Sequence, residues 1–413
     1  MLSEQTAAHC WNRRPNSSEY ALLQGDRGLA DLLEAVLNQV LQAQATEYVK
    51  AEPYERTEER LGYRNGTRER PITTRVGRLT LEVPQFRQGK LPVDMFERYQ
   101  RSEQALIVTL MEMAVNGVST RKIKNITREL CGVEFSKSTV SDLLKGLDPV
   151  VHEWIDRPIG TYPFLIVDAI VIKIRKGGRV RTHSMLMATG VNPEGIREIL
   201  GLWLADSEKE TSWRDFFKWL KGRGLAGVDL VVSDDHGGLV NAVAVEFQGA
   251  SWQRCQTHFT KNILDACPKA VQHDLHSRLR LMFEAPDMDT ARVLLDGIID
   301  DFGAKAPGAI SRLEAGFEDA MAVMALPECI RKRLRTTNCA ERLNEEVRRR
   351  ERVIRIFPND ESAIRLIGAV LMEIDETWST GRRYLNMEEY WRWKQACESG
   401  EAQPLPIAAQ RAA

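Results

Sequence analysis

The sequence predicts an α/β protein: a mixed five-stranded sheet, interrupted by an all-helical block and preceded by a mostly helical region. Three observations carry this. Residues 163–175, Pro-Phe-Leu-Ile-Val-Asp-Ala-Ile-Val-Ile-Lys-Ile-Arg, form a near-continuous apolar run of strand length, as expected for a strand buried on both faces. From that run onward the segments read strand, strand, strand, helix, strand, helix, strand. Residues 259 to about 335 then show only helical periodicity, as in Leu275, Leu279, Leu281, Met282 and Phe283, followed by Ala291, Leu294, Leu295 and Ile298.

Composition bounds the rest. The 413 residues are 43% apolar and 28% charged, enough for two or three domains. The formal net charge is −1, so any affinity for nucleic acid must come from local patches. No run approaches the ~18 apolar residues of a membrane span. Residues 1–6 lack the basic and apolar parts of a secretory signal. The seven cysteines (Cys10, Cys131, Cys255, Cys267, Cys329, Cys339 and Cys397) contain no Cys-x-x-Cys pair, which fits reduced thiols in a cytoplasmic protein.

Taken in order, residues 1 to about 18 are polar and unpatterned. From Gly28 to Val49, the positions Leu29, Leu32, Leu33, Val36, Leu37, Val40 and Leu41 repeat with helical period. That helix packs onto its own domain or pairs two chains. Residues 72–84 alternate around a glycine and predict a short hairpin. Arg64, Arg68, Arg70, Arg75, Arg78 and Arg87 make this stretch basic, either as a solvated face or as a phosphate-contacting surface. Residues 102–147 are helical with a break at Asn116-Gly117. Within them two short helices flank Gly132, with Ser136 or Ser138 as N-cap of the second. This has the form of a helix-turn-helix, with Lys137, Ser138, Thr139 and Ser141 opening the recognition helix; many helical hairpins, however, bind nothing. The strands are 163–175, 182–191, 197–205, 229–235 and 251–255, with helices at 212–221 and about 239–247. A long helix runs from Thr336 to about Arg352, further helices follow, and residues 400–413 form a small-residue tail. The domain limits expected are 1–58, 59–150, 160–258, 259–335, 336–395 and 396–413.

An ionised carboxylate in a buried strand is costly unless paired or metal-bound. Asp168 stands in the middle of the first strand and Asp234 at the end of the fourth. If those strands are parallel neighbours, both acids project into one crevice at the strand ends. Oxygen-only ligands point to Mg²⁺ or Mn²⁺. Glu341 is the third candidate. Asn338-x-x-Glu341 also fits a capping box, and Glu345 lies one turn further on the same face.

At these residues a family resemblance is carried. Val232-Ser-Asp-Asp-His-Gly-Gly-Leu-Val-Asn-Ala242, Trp252-Gln-Arg-Cys-Gln-Thr-His258 and Thr336-Thr-Asn-Cys-Ala-Glu-Arg-Leu-Asn-Glu-Glu-Val-Arg-Arg-Arg350 together resemble the Mutator-type transposases of bacterial insertion sequences. Residues 359–373 and 378–384 extend it, so it covers about 60–395. The resemblance implies an RNase H-like core with the helical block as an insertion, and a triad of Asp168, Asp234 and Glu341 holding Mg²⁺ or Mn²⁺. It also implies cleavage and joining of DNA at terminal inverted repeats, by a dimer. Cys255 and His258 match the family's Cys-x-x-His signature and are expected to support the site. Arg342 and Arg348, Arg349 and Arg350 share the Glu341 helix and either neutralise phosphates or form a solvated face. Relatives often carry Gly or Ala after the second acid, where this chain has Asp235, so Asp235 is a rival ligand, but alignment with the family favours Asp234. A catalytically silent DNA-binding regulator and a nuclease that never joins strands are the rival readings.

Overall fold

A computed structural model of the chain describes residues 28–58, 60–74, 76–87, 104–131 and 134–408. The polar stretch 1–18, Arg75 and the Gly132 turn lie outside them. The chain divides into two compact units after Leu144.

In the first unit, α1 (Gly28–Val49) packs on an antiparallel hairpin of β1 (Arg64–Thr74) and β2 (Gly77–Phe86). Its apolar stripe, Ala30, Leu33, Leu37 and Leu41, meets Ile72, Leu79 and Leu81. Two polar side chains of α1 serve the outer edge of β2. Glu34 accepts from the Thr80 N–H at 2.8 Å, and Asn38 accepts from the Glu82 N–H at 2.8 Å. An edge strand must satisfy these groups somehow. The helix therefore finds its partner in its own domain, and the hairpin starts at Arg64 rather than Ile72. Three further helices, α2 (Gln104–Val115), α3 (Thr120–Cys131) and α4 (Lys137–Leu144), share a core of Leu106, Leu110, Ile123, Phe135 and Val140. Gly117, at φ 83°, ends α2 as the Asn-Gly break predicts. Ser136 caps α4 by accepting from the Thr139 N–H at 3.1 Å.

The second unit opens with α5 (Asp148–Asp156) and holds the sheet: β3 (Phe164–Lys176), β4 (Arg179–Val191), β5 (Arg197–Ala205), β6 (Leu230–Ser233) and β7 (Ser251–Arg254). Their order is β5-β4-β3-β6-β7. The first three are antiparallel, while β6 and β7 run parallel to β3, so the sheet is mixed as expected. The second strand begins three residues earlier than the sequence pattern suggested. Gly177 and Gly178, both at positive φ (58° and 74°), form a two-residue turn that pairs Lys176 with Arg179.

Period-2 alternation sends β3 side chains to two cores. Leu165 and Val167 pack under α6 (Glu210–Gly222) and α7 (Gly237–Glu246), through Trp213, Phe216, Phe217, Leu239 and Val243. Phe164 and Ile166 pack on the other face against Ile330, Leu334, Ala340 and Tyr390. The all-helical block is α8 (Gln256–Asp265), α9 (Gln272–Phe283), α10 (Met288–Phe302), α11 (Pro307–Met321) and α12 (Glu328–Leu334), and its first four helices enclose a core of their own. The Gln253 side chain ties it to β7, donating to the Ala320 carbonyl and accepting from the Val323 N–H, each at 2.7 Å. The chain then returns through α13 (Asn338–Ile354), α14 (Asp360–Ser379) and α15 (Glu388–Glu398). No helix among the described residues is long and apolar enough to cross a membrane.

Candidate active site

β3 and β6 are parallel neighbours through Phe164–Leu230, Leu165–Val231 and Ile166–Val232. This places Asp168, two residues past the last pair, beside Asp234, which directly follows β6. α13 crosses this end of the sheet and adds the third acid. The expected capping box is absent. Thr337, not Asn338, precedes the helix, and its side chain makes no cap bond. Instead the Thr337 N–H and hydroxyl both donate to the Cys255 sulfur, at 3.4 and 3.3 Å. Glu341 is thus relieved of capping and lies 3.8 Å from His258 Nε2.

Asp168 is held by two donors: the Ala169 N–H at 2.8 Å on Oδ1, and the Asn344 amide at 2.7 Å on Oδ2. Burial nevertheless pushes its carboxyl up to about 6; the Ala169 N–H pulls it down, and the nearby Asp234 charge adds to the rise. Asp234 is also raised by burial, against the pull of His258 and His236. His258 is driven up to about 9, first by its Cys255 partner, against burial, with both aspartates adding to the rise. The Cys255 thiol is lowered: burial opposes ionisation, but His258 and Thr337 outweigh it. The crevice therefore gathers three carboxylates around one imidazolium.

The neighbouring acids have other uses. Asp235 forms a 2.8 Å ion pair with Arg254, whose guanidinium stacks over Phe259. Glu345 is exposed, and Asn344 rather than Glu345 reaches Asp168. Among the basic residues, Arg342 and Arg348 are exposed. Arg349 is paired with Glu346 at 3.2 Å, and Arg350 is buried on the same Glu346. The hydrophobic side of α13 carries Arg350 inward. Arg64 spends its guanidinium on α1 and the turn after it, donating to Gln42, Thr46 and the Ala51 carbonyl. Arg68 is exposed and Arg70 half-buried. Lys137, Ser138 and Thr139 are exposed at the start of α4, with both hydroxyls joined to Ser136.

Two residues near the site escaped sequence reasoning. Asn344 sits three positions after Glu341, a spacing that puts both on one helix face and was a usable signal. Glu208, in the loop after β5, carried none. It accepts from Trp213 Nε1 at 3.3 Å and lies 3.8 Å from His236. Burial raises its carboxyl, which also senses the Asp234 charge.

The donor set fits a hard divalent cation. Asp168, Asp234 and Glu341 offer oxygens from three elements, and Asn344 Oδ1 is a buried acceptor with no hydrogen-bond donor among the described residues. A hydrated Mg²⁺ or Mn²⁺ would supply that donor through its water. One sulfur, nitrogen and oxygen of Cys255, His258 and Glu341 also lie within 4.8 Å of one another. The sulfur there already accepts both Thr337 donors, which favours a positioning role for this cluster. Cys255→Ala is accordingly expected to bring the titration of His258 down from about 9, because the first cause of its rise is lost. An unshifted His258 ring titration by NMR would show that the imidazole needs no thiol.

The Mutator family model of transposases matches residues 6–381. The chain is 45% identical over 364 residues to the transposase for insertion sequence element IS256 in transposon Tn4001 of Staphylococcus aureus, covering 87% of this chain and 93% of that protein. It is 44% identical over 369 residues to the transposase for ISRM5 of Rhizobium meliloti, with 89% and 93% covered. Against the transposase for IS1081 of Mycobacterium tuberculosis, identity is 39% over 376 residues, with 90% and 91% covered. The family match spans nearly the whole chain and includes every element that builds the crevice, so this chain belongs to the Mutator family of transposases.

Proposed function

We propose that the chain binds the terminal inverted repeats of its own insertion sequence, cuts DNA at the repeat tips and joins the freed ends to target DNA. The observation that carries this is the convergence of Asp168, Asp234 and Glu341, from β3, the β6 end and the first turn of α13, around His258. A divalent cation held by these three carboxylates would polarise the scissile phosphodiester and the attacking hydroxyl. The protein groups organise the rest. Asn344 and the Ala169 N–H fix the rotamer of Asp168. Cys255, held by the two Thr337 donors, orients His258, which adds a positive charge beside the three carboxylates. Water attacks phosphorus and the bond to the 3′ oxygen breaks, leaving a 3′-OH and a 5′-phosphate. That 3′-OH then attacks a second phosphodiester and displaces its 3′ oxygen as a new 3′-OH, with no covalent protein intermediate. Lys137, Ser138 and Thr139 on α4, with Arg68 on β1, are assigned to DNA recognition. Holding two ends requires two copies, so a dimer acting in the cytoplasm is the expected working form.

The test uses duplexes carrying the repeats that flank the gene, with Mg²⁺ or Mn²⁺. Wild type and Asp235→Asn are expected to nick at the repeat tip, whereas Asp234→Asn is expected to be at least 10³-fold slower. Binding of the repeats by all three proteins with cleavage by none would replace this reading with a silent DNA-binding regulator.

A further inference from the structure

The β3–β4 hairpin outruns its sheet. The main ladder of β6 stops at Ile166, and β5 pairs with β4 only as far as Ser184. Beyond the Val171–Ser184 row the two strands continue as a ribbon to the Gly177-Gly178 turn. Its only further strand contact among the described residues is a single bridge from Ile174 to Phe357. Residues 173–181 read Lys-Ile-Arg-Lys-Gly-Gly-Arg-Val-Arg: five cations and no carboxylate, in a chain whose net charge is −1.

The register distributes those cations over both faces. Lys173 and Arg175 share the open face with Thr182 and Val180, while Lys176, Arg179 and Arg181 share the other with Ile172 and Ile174, which are fully buried, Ile174 beside Phe357. All five are exposed. Lys176 is ion-paired with Asp360 at 3.2 Å, and Glu351 lies in the field of Lys173, Arg348 and Arg352. Val171 and Val180 are also about half exposed, which suits a surface covered by a ligand.

The open face, with Val171, Lys173, Arg175 and Val180, and the tip, with Arg179, suit a sugar-phosphate backbone laid along the ribbon. At about 3.4 Å per residue, Lys173 stands about 17 Å from Asp168 along the strand and Lys176 about 27 Å. With one phosphate per about 3.4 Å of each DNA strand, that reaches roughly five to eight base pairs from the scissile phosphate. Resting on the transposase reading above, we infer that the β3–β4 ribbon is a DNA clamp. It lies along the duplex being cut and grips that backbone through Lys173, Arg175, Arg179 and Arg181.

The test compares full-length wild type with the K173Q/R175Q/R179Q/R181Q variant in duplex binding across a salt series. A thermal transition matching wild type shows that the variant folds, and Arg179→Gln alone provides a milder version. Each phosphate contact contributes about 0.9 to the slope of log affinity against log salt, so the quadruple variant is expected to lose about 3–4 from that slope. Between 50 and 200 mM salt, wild type should therefore weaken about a hundredfold more than the variant. Arg179→Gln should lower the slope by about one. Equal slopes overturn the clamp. So does a variant that binds and nicks ends normally but fails only in joining to target DNA, since the ribbon would then hold the target. The slope is read without cleavage. Nicking by wild type with equal slopes sinks the clamp alone, and a lowered slope with no nicking by wild type sinks the transposase reading alone.

Discussion

Asp168→Asn is expected to make the protein more stable and inactive at once. In the folded protein the Asp168 carboxyl titrates near 6, against its usual 3.8, chiefly because it is buried. The folded state therefore holds the proton more tightly than the unfolded chain does. This group's contribution to stability falls as pH rises from about 4 to about 6 and stays lost above that. At pH 7 the cost is on the order of 1–3 kcal/mol. Asparagine has nearly the same shape and cannot ionise. Its oxygen can still accept from the Ala169 N–H, and the facing Asn344 amide can turn its buried, orphaned Oδ1 toward the new NH₂. Chemical denaturation in the presence of chelator should show the gain at pH 7–8 and none near pH 4. Cleavage should fall at least 10³-fold, since a carboxylate oxygen is removed from the reacting centre. A variant no more stable than wild type at pH 7 would mean that Asp168 is not strained by burial. Catalytic sites commonly trade stability for charge in this way.

Asp375→Ala is expected to be the most destabilising single change outside the crevice, at about 3–5 kcal/mol. Asp375 on α14 is buried and accepts three hydrogen bonds: from the Ile199 N–H at 2.6 Å, Trp154 Nε1 at 3.0 Å and Arg157 at 3.0 Å. The first of these explains the residue. β5 carries a bulge, because Ala188 pairs with Gly201 and Thr189 with Ile199, so Leu200 is the extra residue. β5 is also the edge strand of the sheet, and the Ile199 N–H and C=O beside the bulge are taken up by Asp375 and Arg157. Alanine would strand that N–H, an indole N–H and a guanidinium together. Urea unfolding should show a lower midpoint with an unchanged slope. Asp375→Asn, which keeps one acceptor oxygen, should fall between. Cleavage well below the transition should persist in both, because none of these groups touches the crevice.

Much of this protein was legible without coordinates. The five strands, their mixed character and the helical insertion follow from hydrophobic period and length, which depend on nothing beyond neighbouring residues. The first and second acids were legible because a carboxylate inside or at the end of an apolar strand stands out. The Cys255–His258 pair and Glu341 entered through family resemblance.

Contacts distant in sequence decided the rest. Whether Asp234 or Asp235 faces Asp168 turned on Arg254, which takes up Asp235 from the neighbouring strand. Whether Asn338 caps α13 turned on Cys255, which draws Thr337, 82 residues away from it, into the pre-helix position. Arg64 and Arg350 read as surface cations until α1 and Glu346 gave them partners. The reach of the β3–β4 ribbon depends on where β5 and β6 stop pairing. Local pattern specifies the elements because each period is a property of one segment. The partners of polar and charged groups are settled only when segments meet, since a buried polar group takes whatever donor or acceptor the packed structure brings within hydrogen-bonding distance.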